Sequence, residues 1–139
     1  MKTRFALASL ALAAIATTTV FSSAVAEESL EGKATITAKL DAKAKKATIV
    51  IQGKGDGVYV NKEYPLKCEV TIKDGGKLEK ASLGKDDATY EDAGKDKAGK
   101  AKSATLKVGA DKPIEGECKV VVCTMGSCSA PFKVKFASN

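Results

Sequence analysis

Leu66-Lys67-Cys68-Glu69-Val70-Thr71-Ile72-Lys73 alternates without a break. Leu66, Cys68, Val70 and Ile72 fall on one face; Lys67, Glu69, Thr71 and Lys73 fall on the other. A period of two belongs to a β-strand, and apolar-in, polar-out alternation marks a strand half-buried in a sheet. Pro65 opens the stretch, and Asp74-Gly75-Gly76 closes it with turn chemistry. Cys68 lies on the face that turns to a core.

The same pattern recurs on both sides. Upstream, Ala34, Ile36, Ala38 and Leu40 share a face, Asp41 to Lys46 reads as a turn, and Ala47-Thr48-Ile49-Val50-Ile51 follows as the second arm of a hairpin. Gly53-Lys54-Gly55-Asp56-Gly57 is a glycine-rich loop. A phosphate-binding loop would need a helix to start there, and strand-like Val58-Tyr59-Val60-Asn61 follows instead. Asn61 to Pro65 makes a turn. Downstream, Lys77 to Leu83 is a weaker strand. The polar, lysine-rich stretch from Lys85 to Lys102 reads as a long, flexible, solvated loop. Ala104, Leu106 and Val108 mark another strand, and Asp111 to Gly116 connects onward. Glu117-Cys118-Lys119-Val120-Val121-Val122 is the last strand but one, and Phe132, Val134 and Phe136 face inward from the last. About seven short strands with Gly, Asp and Pro turns, and no helical pattern among them, predict an all-β sandwich.

The first residues read as a processing signal. Lys2 and Arg4 precede the apolar run Phe5 to Ile15, and Ala24-Val25-Ala26 is a small-x-small cleavage site. The apolar run is shorter than the ~20 residues a membrane span needs. No cysteine stands at the cleavage site to carry a lipid, and no stable membrane insertion is expected after cleavage. Cleavage after Ala26 removes 26 of 139 residues and leaves 113, the size of one domain, 27–139. Export implies a periplasmic or secreted protein in an oxidising compartment, where four cysteines point to disulfides.

Loss of Lys2 and Arg4 lowers the formal charge from +6 to +4. The remaining basic residues are all lysines, interspersed with Asp, Glu, Ala and Gly. Nucleic-acid binding calls for arginine forks and exposed aromatics on one basic face, and none is expected here. With no histidine in the chain, Ser-His-Asp and Cys-His catalysis and every histidine metal site are excluded. No metal or other cofactor is implied.

Parity places Cys118 on the face of Val120 and Val122, and Cys68 on the face of Val70, so the two can meet in the core. A Cys68–Cys118 bridge closes a loop of about 50 residues, worth ~4 kcal/mol by loop-closure entropy; a Cys123–Cys128 bridge closes a short ring worth only ~2 kcal/mol. The second bridge would lie near the surface at a strand end, where disulfides are the exchangeable kind. Four cysteines allow three connectivities, and sequence alone does not choose among them. Both bridges could be structural. A zinc site through Cys118, Cys123 and Cys128 is disfavoured by four-residue gaps.

Val120-Val121-Val122-Cys123-Thr124-Met125-Gly126-Ser127-Cys128-Ser129-Ala130-Pro131 resembles the active segment of the N-terminal periplasmic domain of the thiol:disulfide interchange protein DsbD. Gly57-Val58-Tyr59-Val60-Asn61-Lys62-Glu63-Tyr64-Pro65 is similar to a stretch following an early strand in those domains. Ser129-Ala130 stand where the family carries an aromatic residue and a paired proline. The resemblance implies an immunoglobulin-like sandwich that exchanges electrons with thioredoxin-fold partners. It further implies that Cys128 forms the mixed disulfide and Cys123 resolves it, with Cys68 and Cys118 outside the active pair. Two expectations result. One is a thiol-disulfide exchange module working through Cys123 and Cys128, with Lys119 or Lys133 lowering a thiol pKa. The other is a non-enzymatic immunoglobulin-like binding or envelope module with two structural disulfides.

Overall fold

The computed structural model describes residues 29–139; the signal-peptide reading of 1–26 lies outside them. The strands are β1 (Ala34–Asp41), β2 (Lys46–Gly53), β3 (Tyr59–Asn61), β4 (Lys67–Ile72), β5 (Ser82–Gly84), β6 (Ala88–Asp92), β7 (Lys100–Gly109), β8 (Ile114–Val120), β9 (Val122–Cys123) and β10 (Phe132–Ala137). One 3-10 turn, Lys85–Asp87, joins β5 to β6. All strand pairings are antiparallel, in two sheets that form a sandwich.

In the first sheet β2 pairs with one edge of β7 over Ser103–Gly109, and β3 continues along the same edge against Lys100 and Ala101. β6 takes the opposite edge of β7. β1 pairs with β2, and β9 with β3, so β1 and β9 share the outer side of a strand that loops out between Gly53 and Tyr59. A side chain at Gly53 would run into the Val58 carbonyl, so glycine permits this pinch. The second sheet runs β10-β8-β4-β5.

The alternation read from sequence delivers the core. Ile49 and Ile51 of β2, Val60 of β3 and Leu106 of β7 are fully covered from the first sheet; Cys68, Val70, Leu83, Ile114, Cys118 and Val120 are covered from the second. Burying each such aliphatic side chain stabilises by roughly 1.5–3 kcal/mol. The sheets also touch through β1 and β10, at a parallel bridge between Ala38 and Ser138. Ser138 there bonds both main-chain groups of Ile114: its hydroxyl accepts from the N–H at 2.8 Å, and its own N–H donates to the carbonyl at 2.8 Å.

Three expectations are corrected. The continuous strand Glu117–Val122 breaks at Val121: β8 belongs to the second sheet, and β9 to the first. Val120, Val121, Val122 and Cys123 are consecutively buried because a chain crossing between sheets has core on both sides. The loop expected over Lys85–Lys102 contracts to residues 93–99, between β6 and β7. β6 escapes a periodicity reading because it is an edge strand with only Ala88 and Tyr90 half-buried. The strand expected over Lys77–Leu83 is reduced to Ser82–Gly84 plus one bridge, Leu78 to Ala110.

Candidate functional site

β8 and β10 form a hairpin whose tip leaves its own sheet. The last pair within the second sheet is Val120 opposite Phe132. Beyond it, Val122 meets Ser129: the Ser129 N–H donates to the Val122 carbonyl at 2.8 Å, and the Val122 N–H donates to the Ser129 hydroxyl at 3.1 Å. Between these pairs one side contributes Val121 and the other Ala130 and Pro131. That is a bulge, which bends a strand and turns the residues beyond it to a new direction. The Asn61 N–H, donating to the Val121 carbonyl at 3.0 Å, ties the bend to the end of β3.

Cys123 and Cys128 are bonded across the tip, five residues apart in sequence, with Cα atoms 4.0 Å apart. The Thr124 N–H donates to the Ser127 carbonyl at 2.8 Å, and the Thr124 hydroxyl accepts from the N–H groups of Gly126 and Ser127 at 3.4 and 3.3 Å. This Thr-centred turn is encoded locally, since a hydroxyl can mimic a backbone acceptor two and three residues on. The flanking hydrogen bonds run from Thr124 to Ser127 and from Ser129 to Val122. Cys123 and Cys128 therefore form a non-hydrogen-bonded antiparallel pair, the kind whose side chains come closest.

The two sulfurs differ in surroundings. Cys123 is 1% exposed, and Cys128 is exposed. Cys123 pairs with Tyr59 of β3, so their side chains share a face. Lys97, from the loop between β6 and β7, sits 5.9 Å over the Tyr59 ring. Cys128 is the outermost member of the row Tyr59–Cys123–Cys128 and opens on a groove of about 570 Å³. One wall is Thr124, Ser127, Cys128, Ser129 and Ala130; the other is Ser29, Leu30, Glu31 and Lys33. Met125, at the ring's tip, is the large apolar side chain left exposed among the described residues.

Cys68 and Cys118 are bonded too, as a direct cross-strand pair of β4 and β8 with Cα atoms 4.0 Å apart, both wholly buried. Lys119 and Lys133, expected beside the Cys123–Cys128 pair, do not line its groove. They face outward from the second sheet, in one row with Lys67 across β4, β8 and β10. The lysine on the groove is Lys33. Nothing in its local sequence marks it, because its place depends on how the segment before β1 passes the hairpin tip. All four cysteines are in disulfides, and among the described residues no cluster of metal-ligating side chains forms. Compared with known protein families and with curated proteins, the chain matches none.

Proposed function

We propose that the protein is a periplasmic or secreted thiol-disulfide exchange module of the DsbD N-terminal kind, acting on thioredoxin-fold partners through Cys123 and Cys128. The observation that carries this reading is the asymmetry of the pair: Cys123 is buried, and Cys128 is exposed on a groove. Exchange depends on which sulfur a thiolate can reach. A nucleophile that displaces Cys123 approaches Cys128 from the side away from Cys123, which is the open sheet edge. The opposite approach, to Cys123, comes from the side of Tyr59. A partner thiolate bonds to Cys128 Sγ, the disulfide breaks, and its electron pair leaves on Cys123 as a thiolate. A second partner thiolate then attacks the partner's own sulfur and expels Cys128, so the partner is oxidised and the domain reduced. In the reverse direction the Cys128 thiolate attacks a partner disulfide, and the Cys123 thiolate attacks Cys128 to release the reduced partner.

The immunoglobulin-like fold belongs to the same proposal. It is supported by the order β1-β2-β7-β6 against β10-β8-β4, which is the ABED and GFC order, with β5 added to the second sheet and the short β3 and β9 to the first. One departure is that Cys68–Cys118 lies within a sheet, where antibody domains bridge the two sheets. An oxidising compartment is supported by two disulfides and no free cysteine among the described residues.

The second reading, a non-enzymatic binding or envelope module with two structural bridges, is favoured by the burial of Cys123 and the hydrogen-bonded turn around it. A pair of single variants separates the two. Cys123→Ser leaves an accessible Cys128 and is expected to accumulate mixed disulfides with an oxidised thioredoxin-fold protein; Cys128→Ser leaves a covered Cys123 and is expected to form few. Equal trapping by both variants, or by neither, contradicts the exchange reading.

A further inference from the structure

Cys128 offers a partner more than its sulfur. In a non-hydrogen-bonded antiparallel pair, each residue's own N–H and C=O point away from its opposite number. For Cys123 that direction is β3, which it pairs. For Cys128 it is the outer edge of the sheet, and among the described residues no hydrogen bond uses its N–H or C=O. The reactive sulfur and a free main-chain donor–acceptor pair thus belong to one residue, on the wall of one groove. The far wall, Ser29–Lys33, stands off far enough to leave about 570 Å³ between them. An open strand edge is a template for another strand, with main-chain bonds giving affinity and side-chain pockets giving selectivity.

We propose that, beside thioredoxin-fold partners, the site takes a second class of substrate: an extended, cysteine-bearing segment that adds to the sheet as a strand at Cys128. It lies in the groove between Ser127–Ala130 and Ser29–Lys33. Pairing with the Cys128 N–H and C=O brings the segment's own cysteine opposite Cys128, where its thiolate attacks the Cys128 sulfur and Cys123 leaves as thiolate. The apolar side chains within reach are Leu30 and Ala130 in the groove and Met125 at its lip; methionine adapts to varied apolar partners. Ser29, Thr124, Ser127 and Ser129, which also line it, are small and polar, so the groove selects for extended backbone with a cysteine rather than for one sequence.

This inference rests on the exchange reading, and the test separates the two. The probe is a short Thr- and Val-rich peptide with one central cysteine, compared with the same peptide N-methylated at that cysteine's own main-chain nitrogen, and with glutathione. Mixed-disulfide formation with the oxidised protein is followed by mass spectrometry. Strand addition predicts that N-methylation slows the peptide about tenfold, the cost of one or two main-chain hydrogen bonds. It also predicts that the Cys128 amide exchanges hydrogen more slowly in the peptide adduct than in the glutathione adduct. Equal rates for both peptides, with an unprotected Cys128 amide, overturn strand addition and leave exchange standing. Failure of peptide and glutathione alike to open the bond overturns both.

Discussion

At the scale of single residues, burial decides what each polar group costs or offers. Cys123 and Cys128 share one bond, yet only the second is exposed. Tyr90 is the opposite case. Its hydroxyl is buried with no hydrogen-bond partner among the described residues, and burial pushes its pKa up because the phenolate would be poorly solvated. A buried hydroxyl without a partner costs about 1–3 kcal/mol of desolvation. Tyr90→Phe removes the oxygen and keeps the ring, so urea unfolding is expected to show the variant more stable by about 1 kcal/mol; a loss of stability would mean the hydroxyl is engaged. Alternation made Cys68 and Val70 legible from sequence as core residues. It could not reveal Tyr90, because an edge strand leaves only half of each alternate residue covered.

At the scale of elements, the outer face of the second sheet carries its charges in rows. Lys67, Lys119 and Lys133 stand directly opposite one another on β4, β8 and β10. Lys133 reaches Glu117 at 3.2 Å and Lys67 reaches Glu69 at 3.6 Å, while no ion pair among the described residues engages Lys119. Like charges directly opposite in a sheet are destabilising by a few tenths of a kcal/mol each. Lys119→Thr removes two such oppositions and adds a good strand former. It is expected to raise stability by about 0.5 kcal/mol, with a larger gain at low salt than at high salt because screening weakens the repulsion in the parent. No gain at low salt would contradict this. The register behind the row was beyond the sequence: strand alternation shows which way Lys119 faces, but not which residues lie across from it. The same limit hid the crossing at Val121. Three consecutive valines suit a buried strand and a passage between sheets equally well, and only the pairing of β9 with β3 distinguishes them.

At the scale of the whole molecule, the two disulfides stand in different places, one in the core and one at a hairpin tip. Cys68–Cys118 ties the two central strands of one sheet in the middle of the core. It closes a long loop and is out of reach of any thiol until the sandwich opens. Cys123–Cys128 sits where the β8–β10 hairpin leaves that sheet, beside a groove and against the end of the other sheet. The short ring was one of the pairings the sequence left open, and the structure selects it. The groove was not legible from sequence, because its far wall comes from Ser29–Lys33, nearly the whole described chain away. Whether one bridge exchanges while the other does not is read directly by a redox titration followed by differential alkylation and tryptic mapping. Lys119 places Cys118 on one peptide and both Cys123 and Cys128 on the next, so each bridge is followed separately. Cys123 and Cys128 are expected to reduce together in the folded protein at potentials that leave Cys68 and Cys118 oxidised. Joint reduction of all four cysteines, only on unfolding, would contradict this and make the hairpin tip a structural clasp.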